Sequence, residues 1–411
     1  MPLLFLLYVV NFLDRVNVAY AALEMTHDLN FSDKVFGLGA GIFFAGYLLL
    51  EIPGALIVER WSARKWIARI MLSWGFVTML MALVHTAHQF YGARFSLGVA
   101  ESGFFTGILV YIRHWFVQED RAKAVALLMS AIPLSNIFGS PLAGLILRVH
   151  WLGLAGWRWL FILEGLPAIF LGVAVLFLLT DRPKDAEWLT AGEREYLVAR
   201  LEREDQQQTS TTATWRVLLR PAILVLVASY FLQFTGAYGL LYWLPTLLKR
   251  ASGLPTLTVT LLVSIPYLAS LTSQLVNGWH SDRTGERRRH AALPVFVAAL
   301  ALAILASRAG GLGQTVVLYT VASAGLYAYL GPFWAHTSGQ LKGMAAAAAT
   351  GSINAIGSIG GFAGPYIVGA LNTHTGNPKA GVMCLTGCAA LSGLLLLMPN
   401  RPQELNPLAT P

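Results

Sequence analysis

Apolar residues in this chain come in long unbroken runs, without the strict alternation of a half-buried strand. Twelve such runs lie near residues 2–23, 35–58, 66–86, 91–112, 124–147, 158–179, 221–247, 256–278, 291–307, 313–336, 345–371 and 380–398. Each is close to the roughly 20 residues that carry a helix across a hydrocarbon core. A segment alone in lipid must satisfy its own backbone N–H and C=O groups, so every run is predicted to be a helix. Barrel strands would be about half as long and would alternate. The first run starts almost at Met1 with no basic segment before it and is too long for a cleavable leader, so it is read as a span.

The polar stretches between the runs are unequal. With the N-terminus placed in the cytoplasm, 20 of the 29 Lys and Arg residues fall in cytoplasmic segments and seven on the opposite side; Arg15 and Arg94 lie inside spans. The positive-inside rule therefore predicts that both termini are cytoplasmic. At 56% hydrophobic and 12% charged residues, the 411-residue chain carries about half the charge of an ordinary soluble protein, so the class is an all-α membrane protein. The net charge of +8 is then topological: no basic, aromatic-lined groove points to nucleic acid, and the lipid bilayer is the expected partner. Short loops fit a bacterial inner membrane.

The pattern also repeats. After the second run comes ALIVERWSARK (Ala55 to Lys65), and after the eighth GWHSDRTGERR (Gly278 to Arg288), 223 residues later. The second copy fits GxxxDRxGxRR completely. The first keeps Glu59, Arg60 and the closing Arg64-Lys65 but has Ala55 and Ser62 at the glycine positions. Pro141 in GSPLAG and Pro365 in FAGPYIVG repeat at a similar offset. Two halves of six helices follow, residues 1–180 and 221–411, joined by a polar linker over 181–220. Thr190 to Glu193 reads as a capping box opening a short amphipathic helix to about Glu204, and DQQQTSTTAT as flexible chain.

The paired loops, the six-plus-six halves and the central polar segment resemble the major facilitator superfamily over essentially the whole chain, which implies twelve transmembrane helices in the major facilitator fold. Within it, NFLDRVN in the first span, GIFFAGYLLLEIPG in the second, RFSLGVAESGFFTG in the fourth, GWRWLFILEGLPA in the sixth and INAIGSIGGFAGPYIVG in the eleventh are similar to the anion:cation symporter family. Its members carry organic anions such as tartrate, sugar acids, phthalate and hydroxyphenylacetate together with protons.

The charges inside the spans can be read on physical grounds alone. A charged side chain at mid-membrane costs roughly 2.5–3.5 kcal/mol on insertion scales, so Asp14 and Arg15 need a reason. Arg94 and Glu101 are seven residues apart, about 20° out of register and about 10.5 Å along the axis, and so share one face of the fourth span. Two acids and two arginines thus come from the first half. The spans of the second half carry no Asp, Glu, Lys or Arg in their cores, and His336 is their one ordinary titratable group. Asp14 and Glu101 are the candidates for proton coupling. Arg15 and Arg94 are the candidates for an anion, with Tyr47, Gln233, Tyr238, Trp334 and Asn354 lining the substrate path and Tyr242 beside them. The bland alternative makes Asp14 and Arg15 a structural pair. Glu51 and Glu164, the latter near Arg158, read better as anchors, and His336 as a satisfied helix-end residue. Glu59, Arg60 and Arg64 in one loop and Asp282, Arg283 and Arg287 in the other are candidate gating residues, since an acid at one helix end can meet the backbone amides and dipole at another's start. Pro133, Pro141, Pro266 and Pro332 permit bends.

Other classes find little support. No Lys is followed by Ser or Thr, so GxxxxGK[ST] is absent, as is HExxH. The two cysteines, Cys384 and Cys388, sit at helical spacing in one span and indicate neither a disulfide framework nor a zinc site. No cofactor, metal or enzymatic activity is expected. The expectation is a proton-coupled importer, working as a monomer by alternating access, for a small hydroxylated mono- or dicarboxylate such as tartrate or a sugar acid. Aromatic carboxylates are the alternative substrates; a non-accumulating channel and a transporter-like nutrient sensor are the alternative classes.

Overall fold

A computed structural model describes residues 1–207, 220–307, 310–340 and 343–398; the side chains of 52, 54–56, 59, 60, 122, 205–207, 339, 340 and 343–349 lie outside that description. The gating candidates Glu59 and Arg60 are therefore not described as side chains. The flexible stretch expected after the linker helix also lies outside the described residues.

The helices follow the apolar runs. They are α1 (Pro2–Asp28), α2 (Asp33–Arg60), α3 (Ala63–Leu80), α4 (Ala87–Glu101), α5 (Phe104–Trp115), α6 (Gln118–Met129), α7 (Ala131–Ile146) and α8 (Gly156–Leu178). The linker helix α9 (Ala191–Gln207) precedes α10 (Pro221–Ser252), α11 (Thr256–Thr284), α12 (Arg288–Ser307), α13 (Leu312–Ala328), α14 (Leu330–Gln340), α15 (Gly343–Thr375) and α16 (Pro378–Leu397). Eleven spans among the described residues are long and apolar enough to cross a membrane, and α15, at 33 residues, is the twelfth. Before α9, Glu193 Oε2 accepts from the Thr190 amide at 3.0 Å and the Glu193 amide donates to Thr190 Oγ1 at 3.3 Å, closing the expected capping box.

Three runs expected as single helices are broken, each for a local reason. The fourth ends α4 at Glu101 and restarts at Phe104, because Gly103 takes a left-handed φ of 80° and the Ser102 hydroxyl bonds the Tyr47 carbonyl. In the fifth, Pro133 cannot donate to the carbonyl four residues back, and the break falls at Ser130. Pro332 does the same in the tenth, between α13 and α14.

Within the first six spans α3 packs on α8, α2 on α4, and α1 on α7 and α8; within the last six, α10 packs on α15 and α16, α11 on α13, and α12 on α13 and α16. Across the two groups α2 lies on α15, α7 on α11 and α1 on α10. The second span thus meets the eleventh and the fifth meets the eighth, pairs related by the half-chain repeat. Glycine permits the α2–α15 contact: a Cβ on Gly37 would stand 2.4 Å from the Pro365 carbonyl oxygen, and one on Gly369 2.3 Å from that of Asp33.

The two ends of the bundle differ. At the end away from the linker, Arg250 makes two parallel bonds to Asp33, both 2.6 Å, and Asn372 Nδ2 donates to the same carboxylate at 3.3 Å. These join α2 to α10 and α15. At the linker end, among the described residues, no ion pair joins the two groups: Arg64 Nε lies 3.9 Å from Asp181, Arg287 pairs with Asp282, and Arg121 and Glu119 pair with Glu204 and Arg200 of the linker helix.

Candidate functional site

Asp14 and Arg15 do not pair with each other. Consecutive helical residues project about 100° apart, and the two side chains leave α1 toward different neighbours. Arg15 turns to α4, where its Nε donates to Glu101 Oε1 at 2.9 Å and a terminal nitrogen reaches the same oxygen. Asp14 turns to α3, where its Oδ2 accepts from the Trp74 indole N–H at 2.7 Å. Arg15, Asp14 and Glu101 are all buried. The charge pair written as neighbours in the sequence is replaced by an interhelical pair 86 residues apart.

Arg94, also from α4, is wholly buried and forms no ion pair among the described residues. Its Nε donates to the Gly39 carbonyl at 3.3 Å and one terminal nitrogen to that of Ala40 at 3.5 Å, leaving the other terminal nitrogen without a partner among the described residues. Phe43 stands between the two cations: its ring centroid is 5.3 Å from the Arg15 guanidinium carbon and 5.0 Å from that of Arg94. Phe12 and Tyr47 also lie against Arg15, at 5.0 and 5.1 Å. A ring face attracts a cation, so Phe43 holds two like charges close without direct contact.

The second six spans bring hydroxyls to this cluster. Tyr242 donates to the Arg15 carbonyl at 3.2 Å and lies beside the Arg94 guanidinium. Tyr238 lies beside Arg15, as Tyr47 does from α2. Arg15, Arg94, Glu101, Tyr47 and Tyr238 are therefore brought together. Three other candidates stand apart: Gln233 Nε2 is spent on the Leu326 carbonyl at 2.6 Å, and Trp334 packs edge-on to Tyr230 with centroids 5.1 Å apart. Asn354 Nδ2 faces Glu51 Oε1 across the two groups at 3.4 Å.

The loop candidates take separate positions. Asp181, not singled out in the sequence, accepts from the Arg64 amide at 2.9 Å and the Ser62 hydroxyl at 2.7 Å, placing an acid at the start of α3. Arg287 bonds Ser281 Oγ at 3.3 Å as well as Asp282, and Arg283 covers the Trp279 ring at 5.6 Å. The sequence reading also missed Trp74, Phe43 and the Asp33–Arg250 pair. The first two are apolar residues among many, and the third joins residues 217 positions apart, so none had a local signal.

The model of the family described as Major Facilitator Superfamily matches residues 4–365. The chain belongs to the major facilitator superfamily. A protein of Agrobacterium vitis named "Putative tartrate transporter" is 42% identical over 97% of this chain and 89% of its own length. A "Quinolone resistance transporter" of Acinetobacter baumannii is 36% identical over 96% of this chain and 91% of its own. Among solved structures, a bacterial homologue of the human lysosomal transporter Spinster, in an inward-facing and unoccupied conformation, superposes with a TM-score of 0.77 at 17% identity, covering 96% of this chain and 94% of the other. The major facilitator assignment, the full-length relatives and the apolar spans make this chain an integral multi-pass membrane transporter of organic substrates.

Proposed function

We propose that the protein takes up a small hydroxylated organic anion, of the tartrate or sugar-acid class, together with protons. The observation that carries this reading is Arg94: a fully buried guanidinium with no ion pair among the described residues, set across one phenyl ring from a second guanidinium that is held by an acid. A guanidinium offers a planar fork that matches a carboxylate with two parallel bonds. Arg94 is the standing receptor. Arg15 becomes available when Glu101 takes a proton and its charge no longer competes. A dicarboxylate then bridges both cations around Phe43, with the hydroxyls of Tyr238, Tyr242 and Tyr47 turned to those of the substrate. The name of the Agrobacterium relative supports the class of substrate.

With the latch of Asp33, Arg250 and Asn372 closing the end away from the linker, the reading adds that this end faces outward, that the linker end and both termini face the cytoplasm, and that the membrane is a bacterial inner membrane. A reporter active only in the cytoplasm should work both near Gln207 and at Pro411; activity at one site alone refutes that topology.

The energy source is tested in proteoliposomes with labelled tartrate. Accumulation should follow an inward proton gradient and collapse with a protonophore. Dependence on sodium or ATP would sink the symport reading. Glu101→Gln, which resembles the protonated acid, should lose uphill accumulation while still exchanging internal for external tartrate. Normal accumulation by this variant would move the coupling acid elsewhere.

A further inference from the structure

Glu164 on α8 lies six residues after Arg158 and makes no ion pair with it among the described residues. Arg158 bonds the Ala82 carbonyl, faces His85 Nδ1 at 3.3 Å and lies 4.2 Å over the Trp157 ring, so it is turned away to the end of α3. Glu164 instead points into the first six spans at 6% exposure, within electrostatic reach of Asp14 at 0%. The helix of Asp14's partner Trp74 meets the helix of Glu164 at this level, where a Cβ on Gly75 would stand 2.8 Å from the carbonyl oxygen of Gly165, and α1 itself packs on α8.

We propose that Asp14 and Glu164 form a proton-holding carboxyl pair between α1, α3 and α8, a proton-binding site separate from the Arg15–Glu101 pair. The inference deepens the proton-symport reading and rests on it. Four observations carry it. First, Asp14 Oδ1 and Glu164 Oε2 are buried oxygens with no hydrogen-bond partner among the described residues. Second, Asn17, one turn beyond Asp14, is wholly buried and within hydrogen-bonding reach of Glu164, so a neutral amide faces the pair. Third, no cation among the described residues answers the pair: Arg15 is bound by Glu101, Arg158 is turned away, and Arg69 on α3 lies over Trp66 at 4.6 Å. The remaining neighbours are uncharged or acidic. They include Trp74 on α3, Tyr20 on α1 within electrostatic reach of Glu164, Ser140 on α7 beside Tyr20, and Glu101 within electrostatic reach of Asp14. Fourth, two carboxylates buried together without a counter-charge cannot both ionise, so the pair keeps at least one proton.

Coupling to substrate follows from charge. Asp14 and Arg15 are adjacent on α1, so an anion arriving between Arg15 and Arg94 adds negative charge close to the pair and favours holding the proton. By reciprocity, a proton on the pair strengthens anion binding by the same factor. The pair titrates as a unit, and its proton adds to the one taken by Glu101.

The test measures tartrate affinity by thermal shift across the neutral pH range, and records the carbonyl stretch of protonated carboxyls in infrared difference spectra on tartrate addition. Each linked proton changes affinity about tenfold per pH unit. Glu164→Gln keeps the side-chain shape and removes the like-charged neighbour, which weakens the hold of Asp14 on the shared proton while burial and Glu101 continue to oppose its charge. The slope of log affinity against pH should fall by one proton, with one infrared band lost and low-pH affinity retained. Asp14→Asn should lose the same proton, and it decides the matter if Glu164→Gln does not fold. An unchanged slope and spectrum in the folded variant overturn the pair while leaving symport through Glu101 intact. A wild type whose affinity ignores pH, with no infrared band, overturns the symport reading and the pair with it.

Discussion

The two groups of six spans share a pattern of apolar runs and a loop motif, yet their interiors differ. The first buries Asp14, Arg15, Glu51, Arg94, Glu101 and Glu164; among the described residues of the second, every buried polar side chain is uncharged. Each buried charge has a cost, so a bundle that carried charges on both sides of its cleft would have to make and break ion pairs each time the cleft opened. Here the Arg15–Glu101 pair lies within one group, between α1 and α4, and moves with it. The second group supplies hydroxyls that approach the cations from across the cleft, with Tyr242 reaching the Arg15 carbonyl. A hydroxyl can give up such a contact at a cost of about 1 kcal/mol, where a buried ion would strand its partner. Among the described residues the one ion pair between the groups, Arg250 with Asp33, is placed at a bundle end, where both members are partly wet.

That contrast can be broken most sharply at its charged side. Arg15→Gln alone leaves Glu101 buried without its cation and should lower stability by about 3–5 kcal/mol, whereas Arg15→Gln with Glu101→Gln should recover most of it. Thermal melts in detergent check both; an additive double variant would mean that the pair contributes nothing as a pair.

Next comes the substrate side. Arg94→Lys replaces a fork by a point charge and should weaken tartrate binding about 100-fold, equal to about 2.7 kcal/mol, with little change in the melt. Gln233→Ala in the second group, whose amide is already spent on Leu326, should cost less than tenfold. Equal losses at the two positions would erase the division between a charged group that binds and an uncharged group that closes.

The smallest effect belongs to the end latch. Arg250 is 41% exposed and Asp33 18%, so the pair is screened by water and its loss in Arg250→Gln should shift the balance between closed and open ends by about 1 kcal/mol, roughly fivefold. Labelling of a cysteine placed at Ser32 should speed up accordingly. A rate independent of Arg250 would show that the α2–α15 contact closes that end without help.

Much of this was legible in the residues. Twelve runs of spanning length gave twelve spans, because lipid leaves a backbone no partner but itself, and that constraint acts on each segment separately. The capping box at Thr190 is local, and it reads correctly from a few letters. The fractured fourth, fifth and tenth runs were less legible. Each break needed one glycine or proline to outweigh a continuous apolar stretch, and Pro141, Pro266 and Pro365 sit inside unbroken helices.

The sequence by itself determined the membrane class, the number of spans, the repeat and the confinement of charge to the first six, since composition and period are properties of single segments. Only the tertiary structure decided which charges meet. Asp14 and Arg15 were neighbours in the chain, but a helix turns about 100° per residue, so one side chain was delivered to Trp74 and the other to Glu101. Which helix stands opposite each face depends on the packing of all twelve spans at once, and no local stretch of sequence contains that information.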